Sequence, residues 1–556
     1  MKFIICFLVF LISVCTCRYL DENDGINSLD PHLIVETTNG KIKGSKMKMS
    51  DIDKEFYAFQ SIPYAEPPIG KLRFQNPQSK SNWTGVLDAT SPPKACYQPI
   101  IYFTFSEMSE DCLFLNVLTP TLTPSILLPV IFWIYGGFFI YGDGKIEDYD
   151  PEFLVDEDVI MITINYRLGI FGYLSTGDHT LSGNYGIKDQ IMALKWVQEN
   201  IVKFGGDPRR ITIMGQSAGA ANVALLLQSP MAQGLFSAAI MDSGNSLNLW
   251  SRNEDPDKFA KSIANFFKIA YNTSHQLKTK LQEINSIQLV LGTTFVYLEN
   301  AALSNPVNGL PFAPTVEPGV IDKMNYENLK SGKFNKVPVL TGFNSNEGIA
   351  FVDVFDYFPA YLILYDISPS RFVPTDLNIN KTLLHKVGKM IKQFYFGSKS
   401  VAASKEKFTE FVTDHEFVIP AIEFVRLVSN YTDTYFYEFS YEGQIPVENR
   451  EVPGVDHGEE LYYIFKIPNS RPASDDDLIT RKRLVRLWTN FAKYHNPTPN
   501  ADPLLQNITW KSVEPTRINY LNINKTLHLH KNPHEKSDKF WKNIYDTYGV
   551  PPFDTY

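Results

Sequence analysis

Short runs of apolar, often β-branched residues recur along the first two thirds of the chain, and polar or glycine-rich turns separate them. The clearest runs are Leu113–Leu118, Val130–Tyr135, Val159–Tyr166, Ile211–Met214, Ala238–Asp242 and Val337–Gly342. Between them, Asp189–Phe204 has helical spacing, with Ile191, Leu194, Val197 and Ile201 on one face. Strands that alternate with helices predict an α/β fold with a large, mostly parallel central sheet covered by helices on both faces.

The two ends of the chain have other patterns. Residues 33–45 predict a β-hairpin that turns at Asn39-Gly40, and the second half is more helical and aromatic. We find no repeat, no low-complexity tract and no composition shift typical of a linker. A single domain is therefore predicted over residues 18–556, with residues 245–335 forming insertions above the sheet.

The strand-like run at Ile211–Met214 leads straight into Gly215-Gln-Ser-Ala-Gly219, and a helix of small residues follows. A strand, a G-x-S-x-G turn and a helix form the nucleophile elbow of an α/β-hydrolase, in which the residues flanking the serine must be very small. A chance glycine turn is the alternative for the bare motif, and the strand and helix around it disfavour that alternative. Ser217 is the predicted nucleophile.

A serine hydroxyl needs a base, and the base needs an acid that orients it; in this fold the chain order is serine, acid, histidine. Glu347 follows a strand-like run and is the candidate acid, although a glutamate in a polar loop can simply be a surface residue. His457 lies in a loop with glycines at 454 and 458 and is the candidate base. His415 is the rival base.

An oxyanion hole needs backbone N–H donors where negative charge develops. The N–H of Ala218, directly after the serine, is one candidate. Others are Gly136, Gly137 and Phe138, in the glycine loop after Val130–Tyr135. A phosphate-binding loop is the alternative, but no Walker lysine or G-x-G-x-x-G follows a strand here.

Bulk composition narrows the class of protein. The chain has 556 residues, 44% of them hydrophobic and 20% charged, and a net charge of −9. These values are typical of a globular protein with a large core. No basic patch or nucleic-acid-binding motif is found, so a nucleic-acid partner is not expected. No metal site or cofactor is expected.

The N-terminus predicts secretion. One lysine precedes a short apolar run from Phe3 to Val14, and small residues allow cleavage after Cys17, which predicts a signal peptide at residues 1–17. A membrane anchor is the alternative, but the run is short for a span. Cys96 and Cys112 then remain as a pair in an oxidising compartment, either bridged or as two buried thiols. Six sequons predict glycosylation at Asn82, Asn272, Asn380, Asn430, Asn507 and Asn524.

With these features in place, the chain resembles the type-B carboxylesterases, the group that includes cholinesterases and insect esterases. The resemblance rests on long segments from about residue 33 to the C-terminus. They are Phe59–Pro68, Leu72–Phe74, Ser109–Val117, Asn165–Gly169, Gly183–Gln190, Asn200–Pro208 and Gly215–Gly219, together with Glu347 and the His457 loop.

The resemblance implies roles for individual residues. Ser217 matches the family's nucleophile, Glu347 its acid and His457 its base. Cys96–Cys112 matches the family's first disulfide, while a second family disulfide has no cysteines here. The pairs Arg73 with Glu110 and Arg167 with Asp189 match internal ion pairs.

Two positions depart from the family pattern. Phe138 replaces the third glycine of the oxyanion loop, which implies backbone strain if its φ is positive and a narrower pocket beside the serine. Gln216 stands at a position where the family most often has glutamate. Juvenile-hormone esterases and some other insect esterases also have glutamine there.

The resemblance implies a secreted serine carboxylesterase, monomeric or homodimeric, that acts on a small-molecule ester. No tryptophan lies between Cys96 and Cys112, where cholinesterases carry the one that stacks on choline, so an uncharged, mainly apolar ester is expected. Hydrolysis of a juvenile-hormone-like or odorant ester is one alternative, and a low-activity binding or adhesion protein on the same fold is another. Candidate pocket walls are Phe138, Phe139, Trp250, Phe351 and Phe358.

Overall fold

The computed structural model describes residues 33–50, 53–99, 107–303, 309–322, 325–350, 359–446, 452–551 and 553. Its centre is an 11-stranded sheet. In chain order its strands β1 to β11 are Ser45–Lys48, Glu55–Pro63, Phe114–Thr119, Leu128–Ile134, Ile160–Ile164, Gly206–Gln216, Ala238–Asp242, Val339–Asn344, Thr434–Phe439, Asn519–Ile523 and Leu527–Lys531.

The spatial order of the strands is β11-β10-β9-β8-β7-β6-β4-β5-β3-β2-β1. From β10 through β5 all neighbours are parallel, and the edges are antiparallel. All residues of β5, β7 and β8 are buried. A strand buried on both faces needs cover on both sides. The predicted α/β fold with a mostly parallel, helix-covered sheet is confirmed.

Helices fill most connections between the strands. In chain order α1 to α15 are Glu152–Val155, Gly169–Tyr173, Tyr185–Asn200, Ala218–Gln228, Pro256–Phe266, Ser274–Glu283, Ser286–Leu303, Asn325–Lys330, Pro359–Ile367, Lys381–Phe396, Lys405–Thr413, Ile419–Val428, Leu461–Ile464, Asp475–Tyr494 and Glu535–Tyr548. The helix predicted within 189–204 corresponds to α3 and the 3₁₀ turn Ile201–Phe204. No helix in the described ranges is long and apolar enough to cross a membrane. The predicted signal peptide lies outside these ranges.

The predicted N-terminal hairpin is present but shorter than expected. Ile34–Glu36 pairs with Lys41–Lys43, and the Thr37 N–H donates to the Gly40 carbonyl over 2.9 Å to close the turn. The hairpin joins Val86–Asp88 in a small separate sheet. The chain then enters the main sheet at β1.

Covalent and ionic links match those implied by the resemblance. Cys96 and Cys112 are joined by a disulfide. Arg73 binds Glu110 through Nε and Nη2 over 2.7 and 2.6 Å. Arg167 binds Asp189 in the same two-pronged way, also over 2.7 and 2.6 Å. Two parallel charge-assisted bonds fix the relative orientation of the segments they join.

Sheet topology determines where a site can form. The chain runs from β4 outward to β5 on one side and then crosses to β6 on the other side of β4. A reversal of this kind opens a crevice at the carboxyl ends of the strands. The loops that follow β4, β6, β7 and β8 therefore meet at one edge of the sheet. They contain Gly136, Ser217, Gly244 and Glu347, respectively.

Candidate active site

Ser217 stands at the tight turn between β6 and α4. Its backbone has φ +58° and ψ −125°, a conformation that non-glycine residues rarely adopt. A Cβ on Gly219 would lie 2.0 Å from the Ile134 carbonyl oxygen, and one on Gly215 would lie 2.5 Å from the Gly219 backbone. Only glycine at these two positions lets the turn pass so close to β4, as the motif predicts.

The glycine loop after β4 lies directly beside this turn. A Cβ on Gly136 would be 2.9 Å from Ser217 Cβ. Gly137 and Phe138 have φ of +102° and +53°, so the condition for strain at position 138 is met. In the described ranges, the N–H groups of Gly136 and Gly137 donate to no other backbone group. Gly136 and Gly137 thus bring backbone N–H groups close to the serine, and α4 begins at Ala218, directly after it.

Glu347 and His457, 110 residues apart, form a direct pair. His457 Nδ1 lies 2.6 Å from Glu347 Oε2, and the Asn344 N–H donates to Glu347 Oε1 over 2.7 Å. The carboxylate is fully buried, while the imidazole keeps 12% of its surface exposed. Since the carboxylate accepts a hydrogen bond from Nδ1–H, the lone pair of the imidazole is on Nε2.

The amide of Gln216 meets this lone pair. Gln216 Nε2 lies 3.2 Å from His457 Nε2. Within the described ranges, no hydrogen bond joins the Ser217 hydroxyl to the imidazole. Hydrogen bonds between catalytic groups are often long in unliganded enzymes and shorten when substrate binds. The arrangement holds the imidazole next to the elbow with its basic nitrogen satisfied by an amide N–H.

Comparison with known proteins agrees with this geometry. The model of the carboxylesterase family matches residues 31–541. The chain belongs to the carboxylesterase family. The carboxylesterase described here is therefore a carboxylic-ester hydrolase with the α/β-hydrolase fold.

Relatives come from insects and mammals. Juvenile hormone esterase of Tribolium castaneum is 33% identical over 517 residues, which cover 87% of this chain and 86% of the relative. Carboxylesterase 1E of Mus musculus is 33% identical over 540 residues, covering 92% and 93%. Esterase E4 of Myzus persicae is 32% identical over 516 residues, covering 88% and 92%.

The rival base, His415, lies in a different environment in this carboxylesterase. It sits in the π-helical segment Asp414–Val418, and its Nδ1 bonds the carboxylate of Glu416. Its ring packs between Phe411 and Trp541, at centroid distances of 5.3 and 5.0 Å. His415 is thus a buried member of a second histidine–glutamate pair, and no hydrogen bond in the described ranges joins its ring to the elbow turn.

Phe417, two residues after His415, forms part of the wall of the site. Its ring centroid lies 4.9 Å from that of His457 and 5.8 Å from that of Trp250. A Cβ on Gly244 would lie 3.0 Å from the Trp250 ring and 2.5 Å from the Ser217 carbonyl oxygen. Trp250 therefore lies next to the elbow, as predicted for a pocket wall.

The other residues predicted to line the pocket do not share one environment. Phe139 is fully buried and packs on Tyr173 with centroids 5.4 Å apart, so it belongs to the core. The Phe138 ring is half-buried and lies 6.2 Å from the Tyr141 ring. Phe351 and Phe358 lie outside the described residues.

Three contacts at the site were not predicted from the sequence. They are the bond between Gln216 and His457, the packing of Phe417 on His457, and a bond from the Tyr297 hydroxyl to the Phe138 carbonyl over 3.1 Å. The first and third join residues 241 and 159 positions apart. Only Gln216 had a local signal, because it directly precedes the serine.

Buried carboxyl groups lie behind the Glu347–His457 pair. Burial raises the pKa of Glu460 well above its usual range, and the nearby Glu347 charge adds to this. Burial also raises the pKa of Asp456 to about 7, although its Oδ1 accepts the His457 and Ala350 N–H groups. Within the described ranges, no group of three or more His, Cys, Asp or Glu residues is arranged to bind a metal ion.

Asp242, at the end of β7, is expected to make the stability of the fold depend on pH. Burial raises its pKa from 3.8 to about 7, against hydrogen bonds from Tyr437 and Trp488. The folded state thus keeps a proton that the unfolded chain releases. The contribution of Asp242 to the free energy of unfolding is then lost as pH rises from about 4 to about 7, and it does not change above that.

Asp242→Asn should remove this dependence. The Tm of the variant relative to the natural protein should rise between pH 5 and pH 8, by an amount equivalent to roughly 2–4 kcal/mol. Thermal unfolding across this range measures it, with the exposed Asp53→Asn as control. Tm curves of Asp242→Asn and the natural protein that run parallel would contradict the buried, protonated state of Asp242.

The predicted glycosylation sites differ in accessibility. Asn82, Asn272, Asn380, Asn430 and Asn507 are exposed. Asn524 is half-buried, and its Nδ2 donates to the Ser440 carbonyl and hydroxyl oxygens over 2.9 and 3.0 Å. A glycan would replace one hydrogen of that nitrogen and leave at most one of these bonds. Because Asn524 is also the one sequon asparagine that is half-buried, it is the least suitable of the six sites.

Proposed function

We propose that this carboxylesterase hydrolyses uncharged, mainly apolar esters with Ser217 as nucleophile, His457 as base and Glu347 as the acid that orients the base. One observation carries the assignment. The buried Glu347–His457 pair, the strained Ser217 turn and the N–H groups of Gly136 and Gly137 lie at the carboxyl edge of the sheet. These groups are of the kinds that acyl transfer requires, and their proximity supports the proposal.

In the proposed acylation step, Ser217 Oγ attacks the ester carbonyl carbon and its proton passes to His457 Nε2. The Gln216 amide gives up its place at Nε2 as the serine hydroxyl approaches. The N–H groups of Gly136, Gly137, Phe138 and Ala218 are the proposed donors to the oxyanion. Collapse of the intermediate breaks the bond to the alcohol, which leaves with the proton from His457.

Deacylation repeats the sequence with water. His457 Nε2 takes a proton from the water, whose oxygen attacks the acyl-serine carbonyl carbon. The second tetrahedral intermediate collapses, the carboxylic acid leaves, and Ser217 Oγ regains its proton from His457. Glu347 stays ionised and stabilises the imidazolium in both steps. The proposed reaction uses only groups of the chain and needs no cofactor.

An apolar, uncharged substrate is proposed because aromatic rings border the elbow. Trp250 and Phe417 pack beside Ser217 and His457. The segment between Cys96 and Cys112 contains no tryptophan that could stack on a quaternary ammonium group. A narrower proposal is a juvenile-hormone-like or odorant ester, supported by the similarity to juvenile hormone esterase and by Gln216 before the serine.

A pair of nearly isosteric esters tests the substrate class. We expect kcat/KM for 3,3-dimethylbutyl thioacetate to exceed that for acetylthiocholine by about tenfold or more, because an ammonium group without an aromatic partner is desolvated at a cost. The two substrates share the acyl group and the shape of the leaving group, so only the charge differs. Comparable kcat/KM values would contradict an uncharged substrate.

A low-activity binding protein on the same fold is the second candidate. The positive φ of Phe138, where the family has glycine, favours it. Very slow hydrolysis of every ester in a broad p-nitrophenyl panel, together with tight binding of an apolar ester, would support this candidate over the first.

We further propose that residues 1–17 are a signal peptide, that residues 18–556 form one domain, and that the protein is secreted as a glycosylated monomer or homodimer. The exposed sequons and the Cys96–Cys112 disulfide support secretion. Glycans are expected at the five exposed asparagines and not at Asn524.

A further inference from the structure

The loop beside Ser217 contains two consecutive side-chain-bearing residues in the left-handed region. Phe138 and Phe139 have φ of +53° and +62°. A Cβ makes this conformation costly, whereas glycine adopts it freely. Such strain persists only where the surroundings fix the backbone. The contacts that fix residues 137–139 therefore determine whether the N–H groups of the loop face the serine.

Part of that support comes from the loop and from its near neighbours. The Gly137 carbonyl accepts from the Ile140 and Tyr141 N–H groups over 2.9 and 3.1 Å, and the Phe139 carbonyl accepts from the Gly169 N–H over 2.8 Å. These bonds fix the Gly137–Phe138 and Phe139–Ile140 peptide planes. The plane between them, which joins Phe138 to Phe139, also receives a hydrogen-bond donor.

Tyr297 supplies that donor from α7. Its hydroxyl donates to the Phe138 carbonyl over 3.1 Å, and its ring packs on Phe312 with centroids 5.9 Å apart. Burial raises the pKa of Tyr297 well above its usual range, so the hydroxyl keeps its proton. A rigid helix thus holds a protonated donor against the strained residue.

We propose that Tyr297 is a positioning residue for the oxyanion hole: its hydroxyl holds the Phe138–Phe139 peptide plane and thereby keeps Phe138 in the left-handed conformation. The inference rests on the proposed function, in which the loop N–H groups bind the oxyanion. A glycine at position 138 would not need this bond. The tyrosine therefore compensates for the phenylalanine, and the two side chains should be energetically coupled.

A double-mutant cycle tests this coupling. We measure kcat and KM for p-nitrophenyl acetate and p-nitrophenyl butyrate with the natural protein, Tyr297→Phe, Phe138→Gly and the double variant. Tyr297→Phe should lower kcat about tenfold for both esters with KM nearly unchanged, because oxyanion donors act mainly in the transition state. In the Phe138→Gly background the same change should lower kcat less than about twofold.

Tyr64→Phe is the matched control. The Tyr64 hydroxyl also donates to a backbone carbonyl, that of Asn165, over 2.7 Å, and the residue is buried. In the described part of the chain, no hydrogen bond joins Tyr64 to residues 136–139. It should leave kcat within about twofold. Equal losses from Tyr297→Phe in both backgrounds, or no loss with Phe138 present, would overturn the proposal. Unchanged Tm values would show that a loss does not reflect unfolding.

A second readout separates this inference from the proposed function. Phosphonylation of Ser217 by a fluorophosphonate also develops charge on an oxygen in the hole, and its rate is measurable without turnover. The rate should fall with Tyr297→Phe and recover in the double variant. If Ser217→Ala retained full esterase activity, the proposed function would fail. If only the labelling rates of Tyr297→Phe stayed unchanged, the inference alone would fail.

The single Phe138→Gly variant settles what the ring does. If the ring narrows the pocket, as the sequence predicts, this variant should gain kcat/KM on p-nitrophenyl butyrate more than on the acetate. If backbone strain weakens the hole, both esters should gain alike, because both form the same oxyanion. A uniform gain together with the cycle above would show that Tyr297 only partly offsets the strain.

Discussion

Ser217→Ala is expected to lower kcat by about 10⁴-fold or more, because the acyl-enzyme cannot form and only binding and the oxyanion donors remain. Treatment with a fluorophosphonate followed by peptide mapping should place the label on Ser217 in the natural protein and nowhere in the variant. The elbow geometry supports this expectation, since the serine is the residue that the strained turn presents beside the glycine loop. Label on another serine would contradict the assignment.

The base is tested by comparing two histidines that each bond a glutamate through Nδ1. His457→Ala should lower kcat to a similar extent as Ser217→Ala, because the two residues act as a unit. His415→Ala should leave kcat within about tenfold, since its ring lies between Phe411 and Trp541. Assays should be run well below the Tm of each variant, because removing a buried ring leaves a cavity. A larger loss for His415→Ala would reverse the assignment.

The central strands could be predicted from the sequence because their burial leaves a plain signal. A strand covered on both faces is a continuous apolar run, as in Ile160–Ile164 and Ala238–Asp242. The ends of the predicted runs agree with the ends of these strands to within two residues. The predicted alternation of strands and helices then implied the parallel order. The G-x-S-x-G motif added the strand-to-helix turn, whose steric demands are local.

The strands on the far edge could not be found in this way. Thr434–Phe439 is rich in aromatic residues, and Asn519–Ile523 and Leu527–Lys531 are only five residues long and mix apolar with polar side chains. Runs this short do not separate the strand period from the helix period. β9 pairs with β8, and β10 pairs with β9, in each case with a partner far away in the sequence, and β11 joins the sheet through β10.

The candidate site shows the same difference between local and long-range signals. Ser217, Glu347 and His457 each lie in a local motif or loop that marks them as candidates. The contacts around them, of Gln216 and Phe417 with His457 and of Tyr297 with Phe138, are long-range and involve residue types that are common throughout this aromatic chain. At Phe138 the departure from glycine was visible in the sequence, but its compensation by a tyrosine on α7 required the structure.

Glu347→Gln is expected to lower kcat by about 10⁴-fold, although the side chain keeps its size. Glu347 accepts two donors, the Asn344 N–H at Oε1 and His457 Nδ1–H at Oε2. Glutamine has one oxygen to offer. If the Asn344 N–H retains it, the amide NH₂ faces Nδ1, and the imidazole proton must move to Nε2. The base would then have no lone pair for the serine hydroxyl.

Glu416→Gln is the matched control, because Glu416 is also fully buried and also bonds a histidine through Nδ1. The substitution should change kcat less than about tenfold, since no side-chain hydrogen bond in the described ranges joins that pair to Ser217 or His457. Measuring kcat across pH 6 to 9 for both variants separates a wrong tautomer of His457 from a change in the pH at which His457 titrates. With a wrong tautomer, the loss of kcat in Glu347→Gln should persist at every pH, because raising the pH does not return the proton to Nδ1. If alkaline pH restored the activity of Glu347→Gln, the carboxylate would act only through its charge, and the orienting role proposed for it would be wrong.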